Sequence, residues 1–266
     1  MLETYLIINA DDFGMCHAAN AATFDLLEKG GITSATIMTP CGWAPEAIRF
    51  AAAHPEYAIG IHLTFTSEWH KYRWRPVSAA PCPSLRDRDG YMHHDCDAFE
   101  ASASESEVEA EIRAQIEFAR GFGFEPSHLD NHMGSLYGLA GKQCFLPTVF
   151  RICAEYGYPF RMPSVSYNGE PDELWEPIGK LAQLARQMDV PILDHLWEHD
   201  WHGPQSESYE SFREYMLEHF KTCPEGIVET YIHPSLECDE LKNTSSVWFR
   251  RVWEHRLFAD PATRQH

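Results

Sequence analysis

An alternation constrains this chain more than any other feature. Apolar runs of strand length recur at about 4–10, 34–40, 58–65, 127–132, 160–165, 190–196 and 227–233. Helical spacing fills the intervals: Ala18 to Lys29, Ala44 to Ala53, Glu105 to Arg120, Gly141 to Tyr156, Ile178 to Met188, Ser208 to Phe220 and Ser246 to Phe258. Strands separated by helices pair in parallel through right-handed crossovers, leaving a closed barrel or an open doubly wound sheet. An open sheet usually places a glycine-rich phosphate loop after its first strand, and Asn9-Ala10-Asp11-Asp12-Phe13-Gly14 is not one. The pattern predicts an α/β fold: a (β/α) barrel of about seven parallel strands related to the eight-fold form, one domain over residues 1–266, with its active site at the C-terminal strand ends.

Within 266 residues the formal charge is −19, a field that repels nucleic acid and anionic membranes and favours a neutral substrate. The N-terminus lacks a signal-peptide pattern and no apolar run is long enough to span a bilayer, so a cytoplasmic protein is expected. Eight scattered cysteines without a C-x-x-C pair fit reduced thiols in such a compartment. A homodimer is the base-rate expectation for the assembly. The insert from Trp69 to Phe99, rich in proline and aromatics and carrying His93-His94, is too long for an ordinary βα loop. A lid or a substrate wall is one reading of it, a plain surface loop the other.

Nearly every expected strand ends on a residue able to bind a metal or move a proton. The first run stops at Asp11 and Asp12, the third at His62, and the fourth at His128, Asp130 and His132. Arg161, then Asp194 with His195, and finally His233 follow at later strand ends. In a parallel barrel these ends share one face, so distant residues meet in one cavity.

Oxygen and imidazole ligands without thiolate suit zinc, manganese, iron or magnesium, and three protein ligands leave a position open for water. Asp11 and Asp12 point opposite ways along an extended backbone, which gives one carboxylate to the ion and the other to its water. Strand alternation puts His128, Asp130 and His132 on one face. Of these we expect His128 as a ligand, Asp130 as the partner orienting a ligating imidazole, and His132 as a substrate or proton-transfer residue.

The segment from Asp194 to His202, with His195 and Trp197, reads as a loop lining the pocket, with a second metal site as the lesser alternative. His233, held extended by Pro234, is a candidate general acid. Arg250, Arg251 and Glu254 on the last helix could form an ordinary surface ion-pair set, the preferred reading for at least one of the arginines.

Taken together, Asn9-Ala10-Asp11-Asp12-Phe13-Gly14, Gly60-Ile61-His62-Leu63-Thr64, Ser127-His128-Leu129-Asp130-Asn131-His132, Phe160-Arg161-Met162-Pro163 and His233-Pro234 resemble the YdjC-type carbohydrate deacetylases. That group includes chitooligosaccharide deacetylase. The resemblance implies a deformed seven-stranded (β/α) barrel, one divalent ion, magnesium or zinc, and hydrolysis of the N-acetyl group of N-acetylglucosamine-containing oligosaccharides. It also implies Asp12, His62 and His128 as metal ligands, Asp11 as catalytic base, and Arg161 and His233 as pocket residues. The chain departs from the family where His132 is followed by Met133-Gly134-Ser135-Leu136 instead of further histidines. Other metal-dependent chemistry (a phosphoesterase or another amidohydrolase) and a non-catalytic sugar-binding barrel are the alternative readings.

Overall fold

Strand β1 (Thr4–Phe13) occupies the middle of the sheet, exposed at its start and fully buried over its last five residues. The computed structural model describes residues 3–165, 172–199 and 202–263. Five further strands join β1, namely β2 (Ser34–Ile37), β3 (Ala58–Leu63), β4 (Leu129–Asn131), β5 (His195–Leu196) and β6 (Gly226–Ile232), in the order β4-β3-β2-β1-β6-β5. All five pairings are parallel, so every strand delivers its C-terminal end to the same edge.

Among the described residues the sheet has six strands, not seven. Residues 160–165 contribute only isolated bridges, Phe160 to Leu129 beside β4 and Pro163 to Leu193 ahead of β5. Pro159 and Pro163 explain this: neither has an N–H to donate, so a ladder cannot run past them. The segment still links the two sheet edges, since Arg161 N donates to Leu129 O and Leu193 N donates to Met162 O, both at 3.0 Å. Pro191 shortens β5 in the same way.

Among the described residues the helices are α1 (His17–Lys29), α2 (Ala44–Ala53), α3 (Cys96–Ser102), α4 (Glu105–Arg120), α5 (Leu146–Tyr156), α6 (Asp172–Gln187), α7 (Tyr209–Phe220), α8 (Asp239–Thr244) and α9 (Trp248–Ala259); α3 and α8 fall outside the expected helical runs, and α6 starts ahead of Ile178. Helix α5 starts five residues later than its apolar pattern suggests, because Pro147 is favoured in a first turn and not before it. Helix α1 begins after Cys16, so the two aspartates do not cap it. One apolar core runs from Ala10 and Phe13 through Ile61, Leu129 and Phe160 to Phe258. Among the described residues no helix is long and apolar enough to cross a membrane.

The insert is tied down. Trp74 is buried and its indole N–H donates to Thr66 O at 2.8 Å, while Glu111 of α4 accepts the N–H groups of Val77 and Ser78 at 2.9 Å each. No residue of 69–99 lines the cavity described below; Glu68, just ahead of it, does.

Candidate active site

A cavity of about 830 Å³ opens at the C-terminal edge of the sheet and is lined by Asp11, Asp12, His62, His132, Arg161 and His233, among others. Both aspartates face it, contrary to the divergence expected of an extended backbone. The register of β1 against β2 shifts between Ala10 and Phe13, and Asp12 takes a left-handed φ of 60°. Aspartate tolerates that region, and the twist brings its side chain round beside that of Asp11.

Each carboxylate has its own guanidinium. Arg161 Nη1 and Nη2 donate to the two oxygens of Asp11, each at 2.7 Å, and Nη2 also lies 2.9 Å from Asp130 Oδ2. Arg161 Nε donates to Glu229 Oε1 at 2.6 Å. Burial alone pushes the Asp11 carboxyl up, but Arg161, with His62 and His233, outweighs it and holds the group well below the usual carboxylate range. For Glu229 burial wins over Arg161 and moves it up to about 7. Arg251 Nη2 donates to Asp12 Oδ2 at 2.7 Å and, against burial, keeps Asp12 ionised.

Arg250, Arg251 and Glu254 are therefore no surface set. All three are buried, and Glu254 Oε2 accepts the backbone N–H of His233 at 2.7 Å.

Asp12 Oδ1 is buried and receives no hydrogen bond from the described residues. It stands 3.3 Å from His132 Nδ1 and 3.6 Å from His62 Nε2. Behind the imidazoles, His62 Nδ1 lies 2.7 Å from Asp130 Oδ1 and His132 Nε2 lies 3.2 Å from Glu68. Asp12, His62 and His132 are thus grouped closely enough to hold one ion, each through one atom, with the other polar atom of each tied from behind. Carboxylate-backed imidazoles are the usual surroundings of a metal ligand. Burial disfavours the charged form of His132, but Glu68 and Asp12 outweigh it and raise the group to about 10, the mark of a place that wants positive charge. A second grouping, Asp11, His62 and Asp130, is less apt, because Arg161 already occupies both carboxylates.

The structure does not bring His128 to this cluster. Its ring packs over Gly60, its Nδ1 lies 2.8 Å from Ser127 Oγ, and burial lowers its pKa to about 4. Strand parity was sound, but two residues along a strand are about 6.6 Å, so His128 lies deeper than Asp130 while His132 stands at the mouth. Asp130 takes its expected place behind His62.

His195 and Trp197 turn away from the cavity. Trp197 is fully buried and stacks on His219 with ring centroids 3.8 Å apart, whereas Leu196 and Glu198 line the cavity. Side chains alternate along an extended segment, so this is the opposite parity to the one expected. Asp200 and Trp201 of the same stretch lie outside the described residues. His233 does line the cavity, and burial lowers its pKa and favours the neutral ring.

Sequence reasoning missed Glu68, Glu198, Glu229 and the role of Arg251. Alternation along Glu229, Tyr231 and His233 was the available signal for Glu229.

A carbohydrate deacetylase of Geobacillus stearothermophilus is 32% identical over 160 residues, which is 60% of this chain and 60% of that protein, so the match spans less than two thirds of this relative's length. A chitooligosaccharide deacetylase of Yersinia pestis is 25% identical over 266 residues, covering 99% of this chain and 94% of the relative. The crystal structure of "a putative cellobiose-phosphate cleavage protein" from Enterococcus faecalis V583 superposes with a TM-score of 0.77 at 27% identity, covering 100% of this chain and 94% of that one. The family described as YdjC-like protein matches residues 5–266, and the chain belongs to it.

Proposed function

We propose that this chain is a metal-dependent carbohydrate N-deacetylase, which hydrolyses the N-acetyl group of N-acetylglucosamine-containing oligosaccharides to acetate and a free amino sugar. The supporting observation is the convergence of Asp12 Oδ1, His62 Nε2 and His132 Nδ1 on one point, with Arg251, Asp130 and Glu68 fixing their outer atoms. Two imidazoles and one carboxylate suit zinc better than magnesium, which prefers an all-oxygen shell. When bound, a divalent ion would polarise the acetamide carbonyl and acidify a water beside it.

The chain's own groups supply the rest. Asp11, fixed by Arg161, accepts the proton of the attacking water; Arg161 keeps it ionised at the cost of basicity. The proton that Asp11 takes from the water is handed on through His233, whose neutral ring can accept it, to the departing nitrogen as the C–N bond breaks. Eight free cysteines fit the cytoplasmic setting proposed for the protein.

Acetate release from a panel of N-acetylated sugars tests this reading. Asp11→Asn should lower turnover by about 10²–10⁴-fold while leaving metal content unchanged. Near-normal turnover in that variant would remove Asp11 from the base role.

A further inference from the structure

A guanidinium carries its N–H donors in one rigid plane, and here a single one serves three buried carboxylates. Arg161 Nη1 and Nη2 each donate to Asp11 at 2.7 Å, Nη2 stands 2.9 Å from Asp130 Oδ2, and Nε donates to Glu229 Oε1 at 2.6 Å. The Tyr231 ring covers one face of the plane, its centroid 5.1 Å from the guanidinium carbon. Asp11 and Arg161 line the cavity, whereas Glu229 stands behind them and does not. A buried acid beside two others is a costly arrangement: burial, with Asp130 and Asp11, outweighs Arg161 and raises Glu229 to about 7.

The backbones of the two partners differ in firmness. Arg161 belongs to the 160–165 segment, which has only isolated bridges, so partners more than a ladder set where its guanidinium points. Glu229 lies inside β6 with a strand on each side, opposite Ile7 of β1 and Leu196 of β5. It is a fixed point from which a looser arginine can be aimed. Asp11 cannot supply that anchor, because it falls where the register of β1 against β2 shifts.

The aim matters for one oxygen. Asp11 Oδ1 accepts from Arg161 Nη2 and, at 2.8 Å, from Asn9 Nδ2, which fills both of its acceptor positions. Oδ2, on the His62 side at 3.8 Å from Nε2, accepts from Arg161 Nη1 and, among the described residues, from no second donor. Its remaining position can take a proton from a water in the cavity.

Building on the deacetylase reading, we propose that Glu229 is a positioning residue for Asp11: by holding Arg161 Nε it sets the roll of the guanidinium, which turns Asp11 Oδ2 toward the water it deprotonates. Charge is not what Glu229 contributes; the fixed acceptor is. Asp130 keeps its place without it, since Oδ1 meets His62 Nδ1 at 2.7 Å and Oδ2 accepts from Thr36 Oγ1 at 2.8 Å.

Two variants of the full, zinc-loaded chain separate acceptor from charge. Glu229→Asp keeps the charge but is one methylene too short to reach Nε; Glu229→Gln keeps the acceptor and loses the charge. With N-acetylated chitooligosaccharides, Glu229→Asp should lower kcat about 10–100-fold, the usual cost of a misplaced catalytic group, with KM within twofold and one zinc per chain retained. Glu229→Gln, the conservative variant, should recover kcat to within threefold of the parent. In nitrogen-15 spectra the Arg161 Nε–H signal, assigned with Arg161→Lys, should be protected from exchange in the parent and in Glu229→Gln and lose that protection in Glu229→Asp. Equal kcat losses in both variants, a kcat in Glu229→Asp within twofold of the parent, a loss of zinc alongside kcat, or an Nε–H equally protected in Glu229→Asp would each overturn the proposal. If the parent itself releases no acetate, the deacetylase reading fails instead, and the Nε–H signal still decides whether Glu229 holds Arg161.

Discussion

His62 and Asp130 are register partners on adjacent strands, and their side chains meet with Nδ1 2.7 Å from Oδ1. This fixes which nitrogen of His62 faces the cavity, because the other is spoken for. Asp130→Asn should weaken divalent-ion affinity about 10–100-fold, measured by calorimetric titration of the metal-free protein. Unchanged affinity would mean that Asp130 serves only Arg161.

The two histidines at either side of Asp130 separate cleanly. His132→Ala should abolish stoichiometric metal binding with a modest effect on melting temperature. His128→Ala should keep the ion and lose stability, since it empties a packed site over Gly60. Metal content by mass spectrometry with melting curves of both variants decides it, and the reverse result would restore His128 as the ligand.

Gly60 carries that packing. A Cβ there would lie 2.4 Å from His128 O, a backbone atom between paired strands that cannot move aside alone. Gly60→Ala is expected to destabilise by about 3 kcal/mol or more, read from denaturant unfolding. A change under about 0.5 kcal/mol would show that β3 and β4 part more easily than their pairing implies.

His219 gives a pH dependence remote from the Asp12, His62 and His132 cluster. Burial lowers its pKa from 6.5 to about 4, with Trp197 stacked on its ring. Between those values the unfolded chain binds the proton that the folded chain refuses. Its contribution is therefore complete above about pH 6.5 and is lost as pH falls toward 4. His219→Gln should flatten the fall in melting temperature across this window; an identical slope in variant and parent would contradict the assignment.

Much of the candidate site was legible because strand ends converge in a parallel sheet, which is what brings Asp11, Asp12, His62, Asp130, Arg161 and His233 together. What periodicity carries is the face of a strand, not the depth along it, and His128 shows the difference. Parity failed at His195 and Trp197 because Pro191 leaves β5 only two residues long, with too little pattern to set its phase. Prolines at 159 and 163 likewise hid a linking segment inside what read as a seventh strand. Arg251 could not be foreseen, since it sits on α9, 239 residues from the Asp12 it binds. A helical pattern says nothing about which strand end an arginine reaches.

The most direct test of the account measures divalent-ion content and acetate release from N-acetylated chitooligosaccharides on one sample, before chelation, after it, and after the ion is returned. The account predicts one ion per chain, release that stops with its removal, and recovery on its return. Release that persists in fully chelated protein, or a protein that binds no divalent ion at all, would contradict it.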